Sequence, residues 1–139
     1  EIMKTNVLGT MYCSQHALKI FARTKSDNHS SIINFSTIAV PLALKGESVY
    51  VASKGAVEAF SRSLAREASD FNCNVNTIAP GPIDTNLINK IADQKIDAIV
   101  RRQIIQEKAS KEDIWNICNF LISPESSSIT GQVINVQGA

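Results

Sequence analysis

An α/β fold with a parallel sheet is what this sequence predicts, on three observations. Three short runs have strand character: "IINFS" (32–36), "CNVNTIA" (73–79) and "QVINV" (132–136). Segments with helical spacing of apolar residues stand before and between them. The resulting order, α-β-α-β-(α)-α-β, places a helical crossover between successive strands, which makes neighbouring strands parallel and the connections right-handed. The 139 residues, 44% hydrophobic and 19% charged, suit one soluble domain with a core of its own.

The first helix is expected over 1–23, with Met3, Val7, Met11, Leu18 and Phe21 at helical spacing. It begins without a capping residue, and Glu1 reads as already helical, which hints at a segment upstream. "TKSDNHSS" (24–31) is a polar loop and leads into the strand at 32–36. "TIAVPLALKGES" (37–48), with Pro41 and Gly46, reads as a loop.

A long helix follows over 50–69. Ala52, Ala56, Ala59 and Ser63 form a stripe of small side chains on it, and Val57, Phe60 and Leu64 a bulkier stripe beside that. Glu58 with Arg62, and Arg66 with Asp70, are expected as opposite-charge pairs on its outer face, each worth ~0.3 kcal/mol. "CNVNTIA" alternates as a strand should, and "PGP" (80–82) stops it.

Residues 86–108 carry a broken helical pattern rich in isoleucine, which reads equally as an apolar lid or as an amphipathic helix pair packed on the core. Ser110 and Asp113 resemble a capping box that opens a helix over 110–123. The last strand is 132–136.

Composition excludes several functions. The formal net charge is +1 and the basic residues are scattered, so no nucleic-acid footprint is expected. Cys13, Cys73 and Cys118 are far apart and odd in number. They fit neither a disulfide framework nor a metal site, and they suit a reducing, cytoplasmic setting. No apolar run reaches membrane-spanning length, and the start has no signal-peptide pattern. The six glycines are dispersed, so these residues hold no clustered-glycine loop to cradle a phosphate.

The candidate chemistry sits in "YVASKGAVEAF" (50–60). Tyr50 and Lys54, four apart, share a helix face. A lysine cation there stabilises a phenolate and lowers a tyrosine pKa, preparing the phenol to exchange a proton with a carbonyl or alcohol oxygen. Alone, the pair reads more readily as a half-buried tyrosine beside a solvated lysine. Its neighbours favour the chemical reading. "NFST" ends one strand and "APGPIDT" follows the other, and in a parallel sheet both strand ends lie on the carboxyl edge, where ligands bind. Ser36, Thr37, Pro80 and Gly81 thus emerge beside the start of the Tyr50 helix.

With "TNVLGT", "SIINFST", "YVASKGAVEAFSRSLARE", "VNTIAPGPIDT", "EDI" and "ITGQVINVQG" in this order, the chain resembles the C-terminal half of a short-chain dehydrogenase/reductase, nearest to the 3-oxoacyl-acyl-carrier-protein reductase type. The resemblance implies the C-terminal part of a doubly wound, Rossmann-like parallel sheet, here about three strands with flanking helices. It implies hydride transfer between NAD or NADP and a carbonyl or alcohol, 3-oxoacyl thioesters among the substrates.

By the same resemblance Tyr50 is the acid/base, and Lys54 bonds the nicotinamide ribose and lowers the tyrosine pKa. Asn6 holds a water in the proton relay. Pro80, Gly81, Ile83 and Thr85 form the turn at the nicotinamide. At the place of the family's serine stands Thr37, which offers the same hydrogen bonds, with Ser36 as the alternative hydroxyl. Two stretches depart from the family: "EKASKEDI" lacks its usual glycine and proline, and "NVQGA" differs from its glycine-rich ending. The helices at 1–23 and 50–69 are expected to pair with a second subunit, in a homodimer or homotetramer. The glycine-rich half of the family's domain lies outside these residues. A remnant without catalysis, acting only as a dimerising scaffold, is therefore the alternative.

Overall fold

The computed structural model describes residues 1–24, 29–85, 88 and 91–139. Its elements are a π-helical turn at Lys4–Leu8 running into α1 (Gly9–Thr24), β1 (Ser30–Phe35), a short helix α2 (Ala39–Leu42) and α3 (Ser48–Ala68). They continue with β2 (Cys73–Ala79), α4 (Asp93–Val100), α5 (Lys111–Ile122) and β3 (Val133–Asn135). The three strands form one parallel sheet in the order β1-β2-β3. Ser30 pairs with Cys73 at one end of the β1–β2 ladder and Phe35 with Ile78 at the other.

Helices cover both faces. On one side Leu64, Ala65 and Ala68 of α3 close over Ile32, Cys73 and Val75, with Leu18 and Phe21 of α1 packed alongside. On the other, Leu121 with Ile114 and Ile117 of α5 packs on Ile78 and Val136. Burial of each such Leu, Ile or Val side chain is worth roughly 1.5–3 kcal/mol. The Glu58–Arg62 ion pair, at 3.9 Å, contributes a few tenths of a kcal/mol, so the two apolar faces hold the fold.

β2 is the central strand and every residue in it is buried. A central parallel strand is covered on both sides. Its two asparagines serve as staples. Asn74 donates to the carbonyls of Ser126 (3.2 Å) and Ser127 (2.9 Å). Asn76 donates to the Ile129 carbonyl (2.7 Å) and accepts from the Gln132 amide (3.0 Å).

Several local expectations change. The stretch 37–48 is not wholly loop. α2 forms within it, and Ala43, in the left-handed region at φ 48°, ends that turn. The Arg66–Asp70 pair does not form, because α3 ends at Ala68 and Asp70 lies in a 3₁₀ turn, outside the i,i+4 geometry. Ser110 and Asp113 make a reciprocal capping box, with the Asp113 amide bonding the Ser110 hydroxyl at 3.0 Å and the Ser110 amide bonding the Asp113 carboxylate at 2.8 Å.

In 86–108, positions 86, 87, 89 and 90 lie outside the described residues. The rest makes one helix, α4, and then a run of turns, so no helix pair forms among the described residues. The isoleucines divide: Ile88 and Ile96 are buried, whereas Ile91, Ile104 and Ile105 face outward. The turns dock on the strand ends through Ala109 N–H to Pro82 O (3.0 Å) and Ile105 N–H to Gln137 O (2.9 Å).

Candidate active site

The carboxyl end of β1 lies along α3, and three consecutive residues meet that helix. The Lys54 ammonium donates to the Phe35 carbonyl at 3.0 Å. The Ser36 hydroxyl donates to Glu58 Oε1 at 2.6 Å. The Thr37 hydroxyl lies beside the Tyr50 phenol, near enough to lower its pKa, and accepts from the Ala39 amide at 3.2 Å. Tyr50, Lys54 and Glu58 stand at i, i+4 and i+8, so one helix face carries all three. Of the two adjacent hydroxyls, both just beyond the end of β1, Thr37 lies beside the phenol and Ser36 turns into the buried α3 interface at Glu58.

Asn6 lies in the π turn, where the Gly9 amide bonds the Lys4 carbonyl. Such turns recur at functional sites because they offset side chains from the regular helical face. The Asn6 amide donates to Ser53 Oγ at 3.1 Å, and that hydroxyl donates to the Tyr50 carbonyl at 2.7 Å. Asn6 is thus tied to the Tyr50 turn through Ser53, which is fully buried.

The turn 80–85 lies next to Thr37. The Ile38 amide bonds the Pro80 carbonyl at 3.0 Å, Ile83 bridges to Ala109, and the Thr85 carbonyl accepts from Ile88 at 3.0 Å. Gly81 has a steric reason to be glycine. A Cβ there would stand 2.7 Å from Gln103 Oε1. Gln103 is 3% exposed, and its amide nitrogen donates to the carbonyls of Ile105 (3.0 Å) and Glu107 (2.8 Å). Its oxygen, facing Gly81, has no partner.

The electrostatics differ from the sequence expectation. Burial holds the Tyr50 phenol above its ordinary pKa, with the nearby Thr37 hydroxyl working against it and Glu47 adding to it. Burial lowers Lys54. The Lys54 ammonium is engaged at the Phe35 carbonyl, so the expected lowering of Tyr50 by Lys54 is not realised here. The chain's own groups keep the phenol protonated at neutral pH, the form that donates a proton.

Sequence reading missed three residues. Glu58 was placed on the outer face of the helix. It is 8% exposed and points inward, while its partner Arg62, at 3.9 Å, is the exposed member. Its i+8 spacing from Tyr50 was the available signal. Ser53 and Gln103 carry no sequence signal, since their partners come from distant segments. Among the described residues no group of His, Cys, Asp or Glu could hold a metal, and no helix is long and apolar enough to cross a membrane.

Comparison with known proteins bears on the fold and the family. The family model described as Enoyl-(Acyl carrier protein) reductase matches residues 1–138. A tropinone reductase homolog of Arabidopsis thaliana is 34% identical over 99% of this chain and 52% of its own length. The 3-oxoacyl-acyl-carrier-protein reductase FabG of Staphylococcus epidermidis is 30% identical over 99% of this chain and 55% of its own. A short-chain type dehydrogenase/reductase from Mycobacterium ulcerans superposes with a TM-score of 0.83 at 33% identity, covering 96% of this chain and 48% of that one. Two further similar structures hold nicotinamide cofactors. ElxO with NADP bound has a TM-score of 0.80 at 28% identity, covering 94% of this chain and 53% of that one. A 4-hydroxyisoleucine dehydrogenase mutant with NADH and succinate has a TM-score of 0.84 at 26%, covering 96% and 55%. The chain spans about half the length of the curated relatives it matches. With a family model matched along nearly its whole length and the same fold in its structural neighbours, the chain belongs to the short-chain dehydrogenase/reductase family.

Proposed function

We propose that the protein carrying this chain is an NAD- or NADP-dependent oxidoreductase that interconverts a carbonyl and an alcohol, with 3-oxoacyl thioesters as the leading substrate class. The observation that carries this reading is the Tyr50 phenol beside Thr37, one helical turn from Lys54, on the carboxyl edge of a parallel sheet. A phenol and an ammonium side by side suit the ribose end of a nicotinamide nucleotide, and the turn of Pro80, Gly81, Ile83 and Thr85 borders that edge. The pyrophosphate finds no clustered-glycine cradle in this sequence.

When bound, the nicotinamide supplies the hydride. Thr37 orients the substrate carbonyl and Tyr50 delivers the proton to its oxygen as charge develops there. Lys54 balances the phenolate left behind, and Asn6, through Ser53, holds the turn that carries Tyr50. The exposed stripe of Ala52, Ala59 and Ser63 on α3 suits a homodimer or homotetramer built through α1 and α3.

A second reading, a dimerising scaffold without catalysis, draws on that same stripe and on the dispersed glycines. Turnover decides between the two, with a 3-oxoacyl thioester and either NADH or NADPH. Tyr50→Phe is expected to cost about 10²–10⁴-fold in kcat. Thr37→Ala is expected to lower turnover far more than Ser36→Ala. No turnover with either cofactor would sink the oxidoreductase reading, and the reverse ranking of the two hydroxyls would reject the role given to Thr37.

A further inference from the structure

Glu58 is a carboxylate 8% exposed on the inner face of α3. Burying a carboxylate is costly unless it is well hydrogen-bonded. Apolar residues of similar volume fill such a position at no loss of stability. Its partners are few. Arg62 stands 3.9 Å away on the solvent side. Ser36 donates at 2.6 Å, the short distance expected of a hydroxyl bonded to a charged acceptor. The other acceptor of Ser36, the Lys54 carbonyl, is at 3.5 Å, the limit of a hydrogen bond.

Ser36 sits between Phe35, which receives Lys54, and Thr37, which meets Tyr50. The Lys54 contact is made by a long, flexible side chain. The Ser36–Glu58 contact is buried and short, and beyond the buried Asn34–Ser61 bond (2.9 Å) two residues earlier it is the last to fix how closely the end of β1 approaches α3.

We propose that Glu58 is a positioning residue of the proton-transfer site: acting through Ser36, it holds the end of β1 where the Thr37 hydroxyl meets the Tyr50 phenol. The inference rests on the oxidoreductase reading for its catalytic meaning, but its geometry is testable without turnover.

The test uses the protein carrying this chain, with tyrosines labelled at Cζ and followed by NMR through an alkaline titration. The chain's other tyrosine, Tyr12, is exposed and serves as the internal reference. Glu58→Ala is expected to weaken Tyr50 acidity by up to about tenfold, as the Thr37 hydroxyl that favours the phenolate draws away, and to leave Tyr12 unmoved. The charged groups beside Tyr50, namely Glu47 and Lys54, are unaltered by the substitution. Ser36→Ala should reproduce the shift, the double variant should add nothing, and Glu58→Gln, which keeps the acceptor, should restore the wild-type value. In turnover Glu58→Ala, Ser36→Ala and the double variant should each lower kcat about tenfold with KM nearly unchanged, and Glu58→Gln should keep the wild-type kcat.

An unmoved Tyr50 in both Glu58→Ala and Ser36→Ala overturns the proposal, even if thermal stability falls. So do effects that multiply in the double variant. If Glu58→Ala does not fold, Ser36→Ala carries the same comparison. A wild-type protein without turnover would refute the oxidoreductase reading, and the NMR arm would still decide the positioning role.

Discussion

Gly81→Ala puts a methyl group where the structure has no room for one. The new Cβ would lie 2.7 Å from Gln103 Oε1, 3.2 Å from its Cδ and 3.3 Å from Ile38 Cδ1. The end of a glutamine usually swings aside cheaply, but this one is 3% exposed and held by two bonds, to Ile105 O and Glu107 O. Moving it surrenders both, and each is worth about 0.5–1.5 kcal/mol. Gly81 has a negative-φ backbone, so alanine also gains roughly 0.4–1 kcal/mol by restricting the unfolded chain. The net expectation is a loss of about 1–2 kcal/mol, read by urea denaturation at constant slope. Gln103→Ala removes the obstruction, so the double variant should be no less stable than Gln103→Ala alone. Gly55→Ala is the control. Its Cβ would meet only Val40 Cγ1 at 3.9 Å, inside α3, and it should stabilise by up to ~1 kcal/mol. A Gly81→Ala protein as stable as the wild type, or additive costs in the double variant, would refute the argument that Gln103 is the reason for this glycine.

Two further outcomes follow from burial and titration. Burial pushes the Cys73 thiol up to about 11 and raises Cys118 to a lesser extent, whereas Cys13 is exposed; alkylation near neutral pH, followed by mass spectrometry, should mark Cys13 first and Cys73 only after unfolding. The Ser110 bonds hold the Asp113 carboxyl below its ordinary range, so the stability it contributes is present above the unfolded carboxyl pKa and is lost as pH falls through the folded one. Ser110→Ala should therefore flatten the acid limb of a pH–stability curve, and an unchanged limb would remove the capping box from the account.

The sequence alone determined what depends on near neighbours. The strand runs and the helical spacing between them are enough for a three-stranded parallel sheet, because periodicity reports which side of an element is apolar. Ser110 and Asp113 were legible as a cap because a capping box closes within one turn. Tyr50 and Lys54 were legible as sharing one face because i and i+4 always do.

Tertiary structure decided what depends on the residue across the gap. Glu58 and Arg62 have the spacing of a surface pair, yet Glu58 turns inward because Ser36, at the end of β1, stands opposite. Tyr50 was expected to be acidified by Lys54 and is instead held protonated, because its environment excludes water and the ammonium reaches Phe35. Gly81 reads as an ordinary turn glycine until Gln103, from the segment after α4, is seen lying against it. In each case the spacing within one element was local information, and the partner that sets the chemistry came from another.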